Sequence, residues 1–292
     1  MSRAYVPLLL ILAAIWGSSY LFIKVAVGDL APTTMIALRL ALAVAVLMTY
    51  LVRWLGARRA AAELRAALPA GIVLGLINAA IPFTLIAWGE EHVDSGVAAI
   101  ANSTVPIFVV LLAIRFRPSE RVYGWRLAGV ALGLVGVGVL TGVNPRGGWW
   151  AVVGTLAIVI ASVSYAAGNL YAQRHVSGTI SGPVLATASM ACALLVLLPF
   201  GLAQLPAHAP GWKALGSVAA LGVLGTAIAQ LFFYRLLRLY GSARSSLVAY
   251  LLPVTALFYG AVLLGEPVTA SALLGLTLIL GGVAVGSGAF AR

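Results

Sequence analysis

"SGVAAIANSTVP", Ser95 to Pro106, and "SARSSLVAYLLP", Ser242 to Pro253, each place a serine eleven residues before a proline near the start of an apolar run. The correspondence continues downstream. Glu120 precedes Gly129 by nine residues and Gly136 by sixteen, and Glu266 stands at the same distances before Gly275 and Gly282. The chain therefore resembles itself, and the period of that likeness governs any assignment of fold.

Composition says what kind of unit is repeated. Only 9% of the 292 residues are charged and 62% are hydrophobic, with a mean hydropathy of +1.08, whereas an average soluble domain is about 25% charged. An integral membrane protein is expected. A spanning helix needs about 20 apolar residues, and ten runs of that kind lie near residues 4–27, 33–54, 68–89, 95–115, 121–142, 149–173, 180–201, 213–236, 243–264 and 268–289. Gly, Pro and small polar residues punctuate the boundaries, as in "GDLAPTT", "VNPRGG" and "GEPVT". The first run continues past any small-residue cleavage site, which fits a retained span better than a signal peptide.

Five runs per repeat means that the second copy enters the membrane upside down. Charge agrees with this. The acidic connection "EEHVD" after the third run matches the basic "RLLRLYGSAR" of the eighth, and the basic "RFRPSER" matches the arginine-free "LLGEPVT". With both termini in the cytoplasm, fourteen of the eighteen basic residues fall on the cytoplasmic side, as the positive-inside rule requires. Lys24, Arg146 and Lys213 lie near the opposite surface, and Arg39 is left inside the second run. The expected fold is an all-α integral membrane protein of ten transmembrane helices, made of two inverted five-helix repeats, 1–146 and 147–292. Inverted repeats are an architecture of secondary transporters, with the substrate site near the midplane between them.

Other classes of function are poorly supplied. One cysteine, Cys192, and three histidines, His92, His175 and His208, scattered over separate connections assemble neither a disulfide framework nor a zinc site. No cofactor and no metal are expected. The net charge of +11 sits beside apolar spans instead of forming a basic patch with interleaved aromatics, so the expected partners are the lipid bilayer and a small-molecule substrate, not nucleic acid. An intramembrane enzyme would need a nucleophile with a base, or paired acids, at membrane depth, and the runs offer none. The pairs Gly129/Gly133, Gly138/Gly142 and Gly282/Gly286 have small-xxx-small spacing, which more often marks packing within a monomer than a dimer seam. A monomer is favoured over an obligate oligomer.

Polar groups in hydrocarbon cost free energy unless they find partners, so those sharing a helical face mark candidate pathway residues. On the fourth run Ser95, Asn102 and Pro106 share a stripe, and the repeat places Ser242, Ser246 and Pro253 on the matching stripe of the ninth, beside Tyr250. Ser162, Tyr165, Asn169 and Gln173 do so on the sixth run, Thr226, Gln230 and Tyr234 on the eighth, and Asn78 and Pro82 on the third. The first contributes Trp16, Ser19 and Tyr20. These six repeat-equivalent runs are expected to ring a central cavity, with the second, fifth, seventh and tenth at the periphery. Trp16, Ser19, Asn78, Phe83, Asn102, Tyr165, Asn169, Gln230, Tyr234 and Tyr250 are the candidate substrate-binding residues; hydrogen bonding between neighbouring helices is the plainer use of the polar ones, and core packing that of Phe83. Pro82, Pro106 and Pro253 are candidate hinges or kinks. Trp88 beside the acidic connection reads as an interfacial anchor.

Lys24 and Arg39 are the charged residues within spans. Lys24 can snorkel to the outer surface or attract a carboxylate, and Arg39 can do the same or pair with Asp29 at the outer rim. Glu120 and Glu266 open the fifth and tenth runs, where a carboxylate is favoured by the helix dipole, and are expected to act as caps.

"WGSSYLFIKVA" from Trp16, "ALRLALAV" from Ala37 and "LLGEPVTASALLGLTLILGGVAVG" from Leu263 resemble the EamA-type family of the drug/metabolite transporter superfamily, over nearly the whole chain. The resemblance implies a duplicated five-helix unit and export of small metabolites, and is greatest toward bacterial amino acid exporters with an aromatic preference, which would place the chain in the cytoplasmic (inner) membrane as a multi-pass protein. The cargo expected is an amino acid with an aromatic or large neutral side chain. Other metabolites or drugs, or lipid flipping on the same fold, stay open as alternatives. No acidic residue lies in the middle of a span, which disfavours a cationic substrate.

Overall fold

The computed structural model describes residues 5–116, 124–142, 148–176 and 178–286. Among these the secondary structure is helical throughout. Helix α1 (Tyr5–Ala26) is followed by α2 (Pro32–Leu55), and α3 (Ala57–Gly75) runs through a π-helical turn (Leu76–Ala80) into α4 (Ile81–Glu90). Helix α5 (Ser95–Asn102) is separated from α6 (Val105–Phe116) by a break at Ser103 and Thr104, and α7 (Trp125–Gly142) and α8 (Gly148–His175) follow. After α9 (Gly182–Ala203), α10 (Trp212–Ala220) passes through a second π-helical segment (Leu221–Ile228) into α11 (Ala229–Tyr240). The chain closes with α12 (Ser242–Ser245), α13 (Val248–Leu263) and α14 (Ala270–Gly286).

Seven of the helices so formed are long and apolar enough to cross a membrane by length and composition, and three shorter apolar helices, Leu127–Leu140, Val248–Leu263 and Ala270–Val285, accompany them. Their outer surface is apolar. Leu195, Phe200, Phe258 and Leu274 are all more than half exposed, which suits a lipid-facing wall, where water is absent and every backbone group must be satisfied within the helix. Exposed Trp54, Trp125, Trp149, Trp150 and Trp212 stand near helix ends, where amphipathic rings anchor at a membrane interface.

Local chemistry explains the turns. Pro32 and Pro183 sit in the first turns of α2 and α9, where a missing N–H costs nothing. Gly56 at φ 79° and Gly241 at φ 78° end α2 and α11, their N–H groups closing on Val52 and Leu237 carbonyls, a conformation that a Cβ disfavours. Helix α3 begins at Ala57, well before the residue 68 expected. Its first turns are polar, and Arg59 and Glu63 pair one turn apart at 3.5 Å, so the stretch is a helical extension whose charges stand outside the apolar run.

The rods pack in pairs, parallel for α1 with α13 and α3 with α9 and antiparallel for α4 with α8 and α7 with α14. Helix α1 lies on α13 and α4 lies on α8; α3 packs on α9, α2 on the second π segment, and α7 on α14. The last of these is a glycine seam. A Cβ on Gly282 would lie 2.5 Å from the Gly129 carbonyl oxygen and 2.6 Å from Gly133 N, and one on Gly275 would lie 3.2 Å from the Gly136 oxygen. Gly129, Gly133 and Gly282 thus serve close approach within the chain, while Gly138 meets nothing. Glu120, Arg3, Arg117, Arg121, Arg146 and Arg292 lie outside the described residues.

Helix ends define the two faces of the bundle. At one, the Tyr5 hydroxyl donates to the Arg244 carbonyl at 3.0 Å and its ring meets Tyr240 edge-on at 5.0 Å; Arg53, Arg58, Arg174 and Arg238 belong to this arginine-bearing end. At the opposite end Gly211 N donates to Asp29 Oδ2 at 2.9 Å, and Thr34 faces the Gly201 and Gln204 carbonyls at 2.9 and 3.0 Å.

Candidate functional site

The interior polar groups gather where helices are irregular. A π turn has one residue too many for the α ladder, which frees carbonyls and is common at functional sites. At the first π segment, Ser164 Oγ on α8 donates to the Ile77 carbonyl at 2.6 Å. At the second, the Thr226 hydroxyl donates to the Leu221 carbonyl at 2.9 Å and accepts from Arg39 Nε at 2.8 Å.

Arg39 is the focus. It is 5% exposed, and its guanidinium stacks over the Phe83 ring at 4.1 Å from the centroid, a cation–π contact. Among the described residues its terminal nitrogens carry no hydrogen bond, although Tyr20, Tyr165 and Glu90 are within electrostatic reach. The pairing with Asp29 does not occur, because Asp29 turns to Gly211 N at the bundle end. The second run is thus not merely peripheral: it delivers the buried cation between α4 and the second π segment.

Asn102 is the last residue of α5, at the break before Pro106. Its Nδ2 donates to the Tyr20 hydroxyl at 2.8 Å, and the fully buried Ser162 hydroxyl faces its Oδ1 at 3.2 Å. Three helices, α1, α5 and α8, therefore meet through Asn102. Pro106 sits just after a helix break, Pro82 just after a π turn, and Pro253 within α13, whose break from α12 comes earlier, at Ser246 and Leu247. The two halves are not identical in this respect.

Among the aromatic candidates, Phe83, Tyr165, Tyr234 and Tyr250 belong to the main interior cluster with Tyr20. Trp16 does not. It packs 5.4 Å from Phe233 in a separate cluster with Leu12, Leu236 and Leu251. Ser19 donates to its own helix at Ile15 O, 3.3 Å away. Asn78 presses against Gly168 with Oδ1 buried and without a hydrogen-bond partner among the described residues, Asn169 is exposed, and Gln230 is half-buried. Trp88 is half-buried and meets His92 edge-on at 4.8 Å, with His92 stacked on Trp150 at 5.4 Å.

The acidic connection is rearranged more deeply. Glu90 is not in a loop: it closes α4 and is fully buried. Lys24 is partly buried and reaches the α4–α5 turn, where its amine donates to the Glu90 and Val93 carbonyls at 2.6 and 2.7 Å, neutralising the negative end of α4. Glu266 caps a helix, but not its own. Ser95 N and Oγ donate to its two oxygens at 2.9 and 2.7 Å, with Gly96 N at 3.3 Å, so it serves the N-terminus of α5.

Tyr20, Thr226 and Glu90 are the residues underrated by the sequence. Their signal lay in helical faces: Trp16, Tyr20 and Lys24 recur every four residues, and Phe83, Ile86, Ala87 and Glu90 form one buried stripe of α4.

The EamA-like transporter family matches this chain twice, over residues 3–142 and 152–287. The inner membrane transporter YedA of Escherichia coli is 30% identical over 95% of this chain and 90% of its own length. A "Probable amino-acid metabolite efflux pump" of the same organism is 26% identical, over 97% and 94%. A "Probable terminal-alkyne amino-acid exporter" of Streptantibioticus cattleyicolor is 31% identical over 68% of this chain and 66% of its own. A solved crystal structure superposes over the whole of both chains with a TM-score of 0.69 at 21% identity, a likeness of fold. With its apolar helices and a twice-matched sequence, this multi-pass inner-membrane protein belongs to the EamA-like transporter family.

Proposed function

We propose that the protein exports amino acids with aromatic or large neutral side chains, or closely related metabolites, by alternating access. One observation carries the reading: a buried guanidinium, Arg39, held at Nε by Thr226 and stacked on Phe83, with its terminal nitrogens uncommitted among the described residues. Two parallel N–H groups are the natural partner of a carboxylate. Phe83, Tyr165, Tyr234 and Tyr250 offer the ring surface on which an apolar side chain packs. The Tyr20 hydroxyl and the Asn102 amide supply polar contacts for the ammonium end. Trp16, Ser19, Asn78 and Gln230, with Asn169 already exposed on α8, complete the pathway in other conformations.

The architecture proposed is ten spans in two inverted repeats, 1–146 and 147–292, with both termini cytoplasmic. Three features support it. The π segments fall in the third and eighth rods, which are repeat equivalents. The packing of α1 on α13 exchanges under the repeat with that of α8 on α5 and α6, that of α4 on α8 with that of α10 and α11 on α1, and that of α3 on α9 with that of the second π segment on α2. The described arginines at rod ends collect at one end of the bundle, which on the positive-inside rule is the cytoplasmic one.

The test is efflux from liposomes loaded with a panel of all amino acids, with and without a pH gradient. Export of aromatic or large neutral amino acids is expected, and failure to move any of them would overturn the substrate reading. Asn102→Ala and Gln230→Ala should each abolish transport without loss of expression.

A further inference from the structure

Glu90 is the least satisfied charged residue of the described chain. It is 0% exposed, and neither carboxylate oxygen has a hydrogen-bond partner among the described residues. Two bases lie within electrostatic reach, and neither donates a hydrogen bond to it. From α1, Lys24 gives its amine to two backbone carbonyls, one of them that of Glu90 itself; from α2, Arg39 is bonded at Nε to Thr226 and stacked on Phe83. Other titratable groups complete its surroundings. These are Tyr20 on α1 and Glu266 on the turn before α14; α8 brings Tyr165 toward Tyr20 and Arg39, α5 begins after Asp94, and Glu91 and His92 follow on its own segment.

Burial opposes an ionised carboxylate here: a buried charge without donors costs several kcal/mol, and Lys24, which offsets the negative end of α4 through its carbonyls, gives no hydrogen bond to the side chain. A neutral carboxylic acid avoids that cost. The site also lies at a seal. Lys24 ties α1 to the α4–α5 turn, and Glu266 ties the α13–α14 turn to the start of α5, so Glu90 meets water only when these contacts part.

We propose that Glu90 is a proton-binding site through which a proton gradient is coupled to transport. In the closed arrangement seen here the carboxyl carries a proton. When the seal opens, the O–H bond breaks and the proton passes to water, or forms again with a proton taken from water, on one side of the membrane only. The role in driving solute rests on the export reading above; the binding of the proton does not.

Two measurements on the full-length protein separate these. Infrared difference spectra of lipid-reconstituted protein, without substrate, should contain at neutral pH a protonated carboxylic-acid C=O band that is absent in Glu90→Gln and retained in Glu91→Gln. Gln is isosteric with the neutral acid, so the variant is expected to fold. In proteoliposomes, coupling of one proton per solute accumulates solute up to about tenfold per pH unit imposed, and Glu90→Gln should abolish the response to the gradient. The proposal is overturned if the band persists in Glu90→Gln, or if that variant responds to the gradient as the wild type does. A wild type that shows the band yet moves no amino acid counts against the export reading alone, and leaves the proton site standing.

Discussion

Replacing Arg39 by methionine tests the proposed carboxylate anchor through the ligand. Methionine keeps the length and apolar stem that packs on Phe83, and Thr226 keeps its own bond to Leu221, so the fold should survive. What is lost is the pair of terminal nitrogens. A hydrogen bond to a charged group contributes about 1.5–3 kcal/mol; one such bond is a conservative figure for a bidentate contact, because the free carboxylate is itself well solvated. That corresponds to roughly 10- to 150-fold in affinity. The assay compares two ligands by calorimetry or tryptophan quenching in detergent: phenylalanine, and phenylalaninamide, in which a neutral amide replaces the carboxylate. The wild type should prefer the acid by that factor, Arg39→Met should bind the two about equally, and Arg39→Lys should recover part of the preference. An undiminished preference for the acid in Arg39→Met would refute the assignment of Arg39.

Other perturbations follow from the same geometry. Tyr20→Phe removes the acceptor of Asn102 Nδ2 and leaves a part-buried donor, which should cost about 1–3 kcal/mol of stability, read as a lower melting temperature in detergent. Gly282→Ala pushes a methyl group against the Gly129 and Gly133 backbone and should destabilise by about 1–3 kcal/mol, whereas Gly138→Ala, facing open space, should leave thermal stability unchanged. Glu266→Ala strips the start of α5 of its carboxylate cap; a loss of about 0.5–2 kcal/mol is expected, with faster amide exchange at Ser95 and Gly96 than in the wild type.

The apolar runs could be read from the sequence because a membrane span leaves a signal about 20 residues long. Gly and Pro at the boundaries were equally legible, since each acts within a turn of its own position. Asn102 and Phe83 were also within reach: a helical stripe shows which residues share a face. Helical faces do not, however, say what stands opposite. That Thr226 on the second π segment meets Arg39, or that Ser162 meets Asn102, depends on residues far apart in sequence.

By itself the sequence determined the class of the protein and the chemistry of many of its turns, because hydrophobicity and turn chemistry are local properties. Only the tertiary structure decided the state of the charges. Glu90, Lys24, Arg39 and Glu266 read as a loop acid, a snorkelling amine, a rim pair and a cap of its own helix. They are instead a buried carboxyl, a clasp on α4, a cation stacked on Phe83 and a cap for α5. In low dielectric a charge is governed by whichever partner lies within a few ångströms, and for Lys24, Arg39 and Glu266 that partner came from another helix or turn.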